Sequence, residues 1–176
     1  MKKFLVVMMI VALVMTLAAP AVVAAPPGPT LVDVALAVNA EGPFAGQFDM
    51  LIAAILAADP AVLATLSGNG QFTVFAPTDA AFAELNIVDA EYFEEMDQDV
   101  LTQILHYHVV RGRRDSTSVL GSSRIRTLQR GFLFQSGGVL TDNLGREAEI
   151  IVPDVPAANG IIHAIDAVLL PFDPYS

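Results

Sequence analysis

The sequence contains no cysteine, and its only lysines are Lys2 and Lys3. Without cysteine there is no disulfide framework, no thiol nucleophile and no lipid-modified cysteine, so stability rests on packing. Basic residues are scarce altogether. Nine lysines and arginines face 19 acids, a formal net charge of −10. Beyond Lys3 only seven arginines remain against those acids. Such a surface disfavours non-specific binding to nucleic acid or anionic lipid. Catalytic signatures are missing too: no Gly-x-Ser-x-Gly elbow, no His-Glu-x-x-His, no Walker loop and no Gly-x-Gly-x-x-Gly. Ser116, Ser118, Ser122 and Ser123 read as a solvated polar loop, and no pair of acids is singled out for glycosidic cleavage. Neither an enzyme nor a cofactor is expected.

What is present begins with a leader. Met1-Lys2-Lys3, an apolar run from Phe4 to Ala19, Pro20 and an alanine-rich end form the three zones of a secretory signal over residues 1–25. Cleavage fits after Ala21, Ala24 or Ala25. An uncleaved anchor is the alternative, since Phe4 to Ala25 is nearly long enough to span a bilayer, and it would be the only route to a membrane. Residues 26–29 form a stiff proline-rich linker. Residues 30–171 are long enough for one domain with its own core, and 172–176 form a tail.

Within the domain, Thr30 caps a first helix from Leu31 to Val38. Phe48, Leu51, Ile52, Ile55 and Leu56 carry the spacing of an amphipathic helix that stops at Asp59-Pro60. Pro60 opens another helix through Leu66. The segment Thr73-Val74-Phe75-Ala76-Pro77-Thr78-Asp79-Ala80-Ala81-Phe82 then reads as a strand-to-helix corner. Its front is apolar and β-prone, Pro77 stops the strand, Thr78 is a good N-cap, and Asp79 sits where the helix dipole favours negative charge. Seven acids between Glu84 and Asp99 match no calcium-loop spacing and read as a solvated face. Leu101, Ile104, Leu105 and His108 share one face of the next helix. After Val110 the pattern turns to short strands at 124–128, 131–135, 139–141, 147–152 and 161–170. In the last of these, Ile162, Ala164, Val168 and Leu170 take one face, and Ile161, His163, Ile165 and Leu169 the other. Helices first and strands later predict an α+β domain.

Three segments in order carry a resemblance: the corner at 73–82, His106-Tyr107-His108-Val109-Val110, and Asn159-Gly160-Ile161-Ile162-His163-Ala164-Ile165-Asp166 leading into Val168-Leu169-Leu170-Pro171. Together they resemble the fasciclin domain family over roughly 30–171. That likeness implies a wedge-like α+β fold, N-terminal helices packed on a mostly antiparallel β region, and a secreted, non-catalytic role in adhesion or surface and matrix interaction. The partners implied are a cell-surface or matrix protein or polysaccharide, or a second copy, and not nucleic acid. Some secreted fasciclin-like proteins bind pigments, so an extracellular carrier of a small apolar ligand, a lipid or carotenoid, is the alternative.

The resemblance also points to particular residues. Thr78, Asp79, His108, Asn159, Gly160 and His163 would be structural, with His108 hydrogen-bonded near Thr78 or Asp79. Adhesive members use the neighbourhood of the Tyr-His pair, which makes Tyr107 and His108 contact candidates. Pro153-Asp154-Val155-Pro156, ahead of Asn159-Gly160, resembles the place of an Asp-Ile adhesion motif, which adds Asp154 and Val155. The bland alternative for Asp154 is the cap of a turn. No metal is expected: His106 and His108 point about 200° apart on a helix, and zinc needs three or four converging ligands. Arg111, Arg113 and Arg114, with Arg124, Arg126 and Arg130, form two clusters. They read as pairing within the molecule and solvation, or else as contacts to the acidic face of a neighbouring copy or to an anionic surface polymer.

Overall fold

A computed structural model describes residues 26–174. The leader assigned to 1–25 and the last two residues of the tail lie outside the described residues. Among the described residues seven helices precede or interrupt seven strands. The helices are α1 (Leu31–Ala40), α2 (Asp49–Ala57), α3 (Pro60–Ser67), α4 (Asp79–Ala83), α5 (Glu91–Glu95), α6 (Gln98–Tyr107) and α7 (Ser116–Leu120). The strands are β1 (Phe72–Pro77), β2 (Val109–Arg111), β3 (Arg124–Arg126), β4 (Phe132–Ser136), β5 (Val139–Thr141), β6 (Glu147–Ala157) and β7 (Gly160–Ile165).

Local chemistry starts most of the longer helices. Thr30 and Asp33 form a reciprocal capping box on α1. Asp59 accepts from the Ala61 N–H at 2.7 Å ahead of α3, whose first residue is Pro60. Asp97 accepts from the N–H groups of Asp99 and Val100 at the start of α6. α2 has no such cap, because its N-cap is Phe48. The missing acceptor comes from Asp79 at the start of α4, which takes the Met50 N–H at 2.9 Å. Thr78 makes no side-chain cap on α4, contrary to the expectation from sequence.

The strands form one sheet in the order β2-β1-β7-β6-β5-β4-β3. Only β1 and β7 run parallel, pairing Phe72 with Gly160 through Pro77 with Ile165. Both are buried on both faces, as expected of central parallel strands. The two ends of the sheet curl toward each other. Val110 on β2 bridges Thr127 just past β3, and the Leu128 N–H reaches the Val109 carbonyl at 2.7 Å.

Period-two alternation divides two cores across β1 and β7. Val74, Ala76, Ile162 and Ala164 face the helices, against residues that include Leu51, Val62, Leu66, Phe82, Leu101 and Ile104. Phe75 and Ile165 face the other way, with Tyr107, Val119, Ile125, Leu133 and Leu140. Past β7 the division continues: Val168 and Leu170 join the first core and Leu169 the second. Regular pairing ends at Ile165, five residues earlier than the sequence pattern suggests, because Asp166 turns its carboxylate back to accept the Glu149 N–H at 2.7 Å.

β6 runs in the opposite sense to expectation: it is longer, continuing through 153–157, which the sequence reads as a loop. Two prolines persist there because only Glu147–Glu149 has β5 on its far side, so Pro153 and Pro156 remove no bond from a second neighbour. Register shifts between Ile150 and Val152 and between Val152 and Val155 leave Pro153 and Asp154 together opposite His163. This is a bulge, and Asp154 takes a left-handed φ of 63° within it. Among the described residues no single helix is long and apolar enough to cross a membrane.

Candidate functional site

The bulge on β6 builds a polar junction. His163 is fully buried and stacks on Phe75, with ring centroids 5.6 Å apart. Its Nδ1 accepts the Asp154 N–H at 3.1 Å, and Nε2 lies 2.9 Å from the Arg114 carbonyl. An N–H donor aimed at Nδ1 sets the tautomer: Nε2 carries the proton and donates it to Arg114. One carboxylate oxygen of Asp154 accepts the Ser116 N–H at 2.7 Å, and the other accepts the Ser116 hydroxyl. The bonds from Ser116, its hydroxyl first, hold the Asp154 carboxyl below the usual aspartate value. Asp154 is exposed, yet it caps the start of α7 from a distant strand. Val155, the next residue, turns inward and pairs with Ile162.

The Tyr-His pair is interior. Tyr107 is fully buried; its hydroxyl donates to the Phe132 carbonyl at 2.7 Å and accepts the Asn143 N–H at 3.1 Å. Burial pushes the phenol up to about 12. His108 does not bond near Thr78 or Asp79. Its Nδ1 pairs with the Ile104 carbonyl one helical turn back at 2.8 Å, and Nε2 accepts the Leu169 N–H at 3.0 Å. The end of α6 carries this ring toward the chain beyond β7, away from the corner. Complete burial lowers its pKa to about 4. Both side chains are enclosed, so neither presents a surface for contact in this conformation.

The remaining motif residues join separate elements. Asp79 donates its N–H to the Gln47 carbonyl at 2.8 Å while accepting from Met50, which clamps the start of α2. Partial burial, with Asp49 nearby, raises its carboxyl. Asn159 is fully buried: Oδ1 accepts the Leu31 N–H, and Nδ2 donates to the carbonyls of Leu66 and Gly68. Gly160 follows because a Cβ there would lie 2.1 Å from the Phe72 carbonyl oxygen. His106 is half-buried on another side of α6, where burial lowers its pKa and Asp59 opposes the shift. Among the described residues no three His, Asp or Glu side chains could hold a metal ion.

Two features escaped sequence reading. Asp142 is buried and pairs with Arg146 at 3.0 Å, while also accepting the Leu170 N–H at 2.9 Å; the i, i+4 spacing within a turn was the available signal. The second is convergence of the arginines. Arg111, Arg114, Arg126 and Arg130 line one groove of about 450 Å³. None of them makes an ion pair among the described residues, where Arg146 alone meets a carboxylate. Pairing with a carboxylate of the described residues therefore does not account for these arginines, which leaves solvation or an outside anion.

The site is thus a polar junction that fastens the arginine-bearing segment 111–116 to a curled, helix-packed sheet. Residues 46–171 match the fasciclin domain, and the chain belongs to that family. It is similar to protein sll1483 of Synechocystis, 39% identical over 127 residues that make up 70% of this chain and 67% of that protein. It is also similar to the cell surface glycolipoprotein MPB83 of Mycobacterium bovis, 36% identical over 61% of this chain and 46% of that one. Among solved structures it matches a FAS1 domain pair from the insect cell adhesion molecule Fasciclin I, with a TM-score of 0.54 and 26% identity, over 66% of this chain and 42% of the other. The chain therefore spans less than half the length of the last two.

Proposed function

We propose that this protein acts outside the cell as a non-catalytic attachment module, docking on a cell-surface or matrix protein or polysaccharide, with self-association as a further mode. The observation that carries this reading is the match of residues 46–171 to the fasciclin domain. Two similar proteins are named as a cell surface glycolipoprotein and a cell adhesion molecule, which agrees with it. The histidine chemistry agrees as well: both ring nitrogens of His108 and of His163 are engaged by backbone groups, which leaves neither ring free as a general base.

Asp154 is the residue to test, and asparagine is the informative replacement. Asp154→Asn keeps an oxygen acceptor for Ser116 and tolerates the left-handed backbone, while removing the charge. Attachment to host cells or their surface polymer should fall in Asp154→Asn by far more than in Ser116→Ala, which loses the same hydroxyl bond but keeps the charge. Equal attachment would exclude the Asp154 carboxylate, and no attachment by the parent protein would overturn the reading.

A second reading, carriage of a small apolar ligand, is favoured by two hollows beside α1. Their volumes are about 90 and 180 Å³, and Ala35, Leu51, Ala76 and Ile162 line both. Leu36 and Leu56, exposed at 47% and 68%, line the larger one. Native mass spectrometry with an absorbance spectrum on protein from its own host distinguishes the readings: bound mass or a visible band supports carriage, and bare polypeptide excludes it.

A further inference from the structure

We infer that the seam where the sheet curls onto itself is a binding groove for an acidic polysaccharide, whose carboxylate or sulfate groups are taken by Arg111, Arg114, Arg126 and Arg130. This inference rests on the attachment reading, whose polysaccharide mode it makes specific, and is tested separately through the groove arginines.

The four arginines come from four places. Arg111 ends β2, Arg114 lies in the segment before α7, Arg126 ends β3, and Arg130 sits in the turn before β4 at a left-handed φ of 78°. The bridge between Val110 and Thr127 brings these segments side by side. Three of the side chains are exposed, and Arg114 is half-buried with its guanidinium 3.3 Å from the Ser122 hydroxyl. Thr127 and Leu128 complete the lining, which contains no acid.

Charge makes this placement informative. Acids outnumber basic residues 19 to 9, yet four of the seven arginines gather where no carboxylate of the described residues meets them. Like charges held together raise the free energy of the empty groove, and a bound anion relieves it. The segment holding Arg111 and Arg114 is also fixed in advance. Thr73 Oγ1 takes the Arg114 N–H at 2.8 Å and donates to the Gly112 carbonyl at 2.8 Å, His163 holds the Arg114 carbonyl, and Asp154 holds Ser116. Binding therefore costs little ordering of the backbone.

The shape and chemistry choose the class of ligand. Planar guanidinium forks match carboxylate and sulfate oxygens in pairs. A single oxyanion is satisfied by one or two forks, whereas four forks along an open groove suit a chain that repeats its charges. The lining offers no aromatic ring for base stacking. A sugar polymer with spaced acid groups needs only the guanidinium forks, which outweigh the repulsion of the acidic surface at short range and low salt.

The test is titration of the protein with dextran sulfate, polygalacturonate and neutral dextran at low salt, then at increasing salt. Both acidic polymers should bind, neutral dextran should not, and binding should weaken steeply as salt shortens the Debye length to about 8 Å at physiological strength. Arg111→Ala with Arg126→Ala should weaken binding about tenfold, an order-of-magnitude figure for two exposed charge pairs. Arg130→Gly, which suits the left-handed backbone, should weaken it with folding intact. Arg124→Ala is the charge-matched control, since Arg124 stacks over Phe132 at 4.3 Å outside the lining. Equal loss in Arg124→Ala would show diffuse surface charge and overturn the groove. Failure of the parent to bind either acidic polymer would overturn it as well. So would inorganic sulfate or single-stranded DNA binding as tightly as the polymers.

Discussion

The side-chain oxygen of Asn159 accepts the backbone N–H of Leu31 at 2.7 Å across 128 residues of chain. Its amide nitrogen meanwhile donates to Leu66 and Gly68. One buried side chain thus ties the start of α1 to the end of α3 and to the turn entering β7. Removing it leaves one N–H and two carbonyls without that partner. Asn159→Ala should lower stability by about 2–4 kcal/mol, the range for lost buried hydrogen bonds. Asn159→Asp should be at least as damaging, because it keeps the acceptor for Leu31 but replaces the donating amide with an acceptor oxygen facing the Leu66 and Gly68 carbonyls. Urea unfolding midpoints of the two variants check this; a milder effect for Asp would refute the donor assignment.

His108 makes stability depend on pH. Its folded pKa of about 4 lies below the ordinary histidine value of 6.5, so the unfolded chain binds the proton more readily between those values. Stability from this group is complete above pH 6.5 and is lost as pH falls toward 4. The shift corresponds to about 3 kcal/mol at full development. Urea midpoints should drop between pH 7 and pH 4.5. In His108→Gln the protein should be weaker at neutral pH but show a flatter profile across that window.

Tyr107 acts at the other end of the pH scale. Its phenol is raised to about 12 from 10, so the folded state holds the proton more tightly and stability declines as pH rises through that interval. Absorbance titration should show one phenol ionising well after an ordinary tyrosine. Tyr107→Phe should abolish that late step. It should also cost about 1–3 kcal/mol, because the Asn143 N–H and the Phe132 carbonyl lose their shared partner.

Gly160 is required by space. Its φ is not left-handed, but a methyl group would lie 2.1 Å from the Phe72 carbonyl and about 3 Å from Leu31. The obstacle is backbone in the central parallel pair, so neither strand yields cheaply. Gly160→Ala should destabilise by about 3 kcal/mol, at the upper end of overpacking costs. Thermal unfolding measures it, and a loss below that of an ordinary surface substitution would show that β1 and β7 separate more readily here.

Much of this molecule is legible in order along the chain. Thr30 announces α1 because a cap acts on N–H groups two or three residues away, and Pro60 announces α3 because proline suits the first helical position. The division of Ile162, Ala164, Val168 and Leu170 from Ile165 and Leu169 follows from alternation alone, and holds even where regular pairing ends. The three segments at 73–82, 106–110 and 159–171 identify the family. Tertiary structure alone decides which polar groups meet. Asp79 caps α2 instead of completing a cap by Thr78, and His108 reaches Leu169, because their partners are set by helix packing and not by neighbouring residues. Asp154 reads as a loop residue, yet lies on a bulge that is defined only by the register against His163. The two arginine clusters become one groove when β2 and the residues after β3 meet. Short-range geometry is written in spacing; the pairing of distant segments depends on how the whole sheet curls, and no local pattern encodes it.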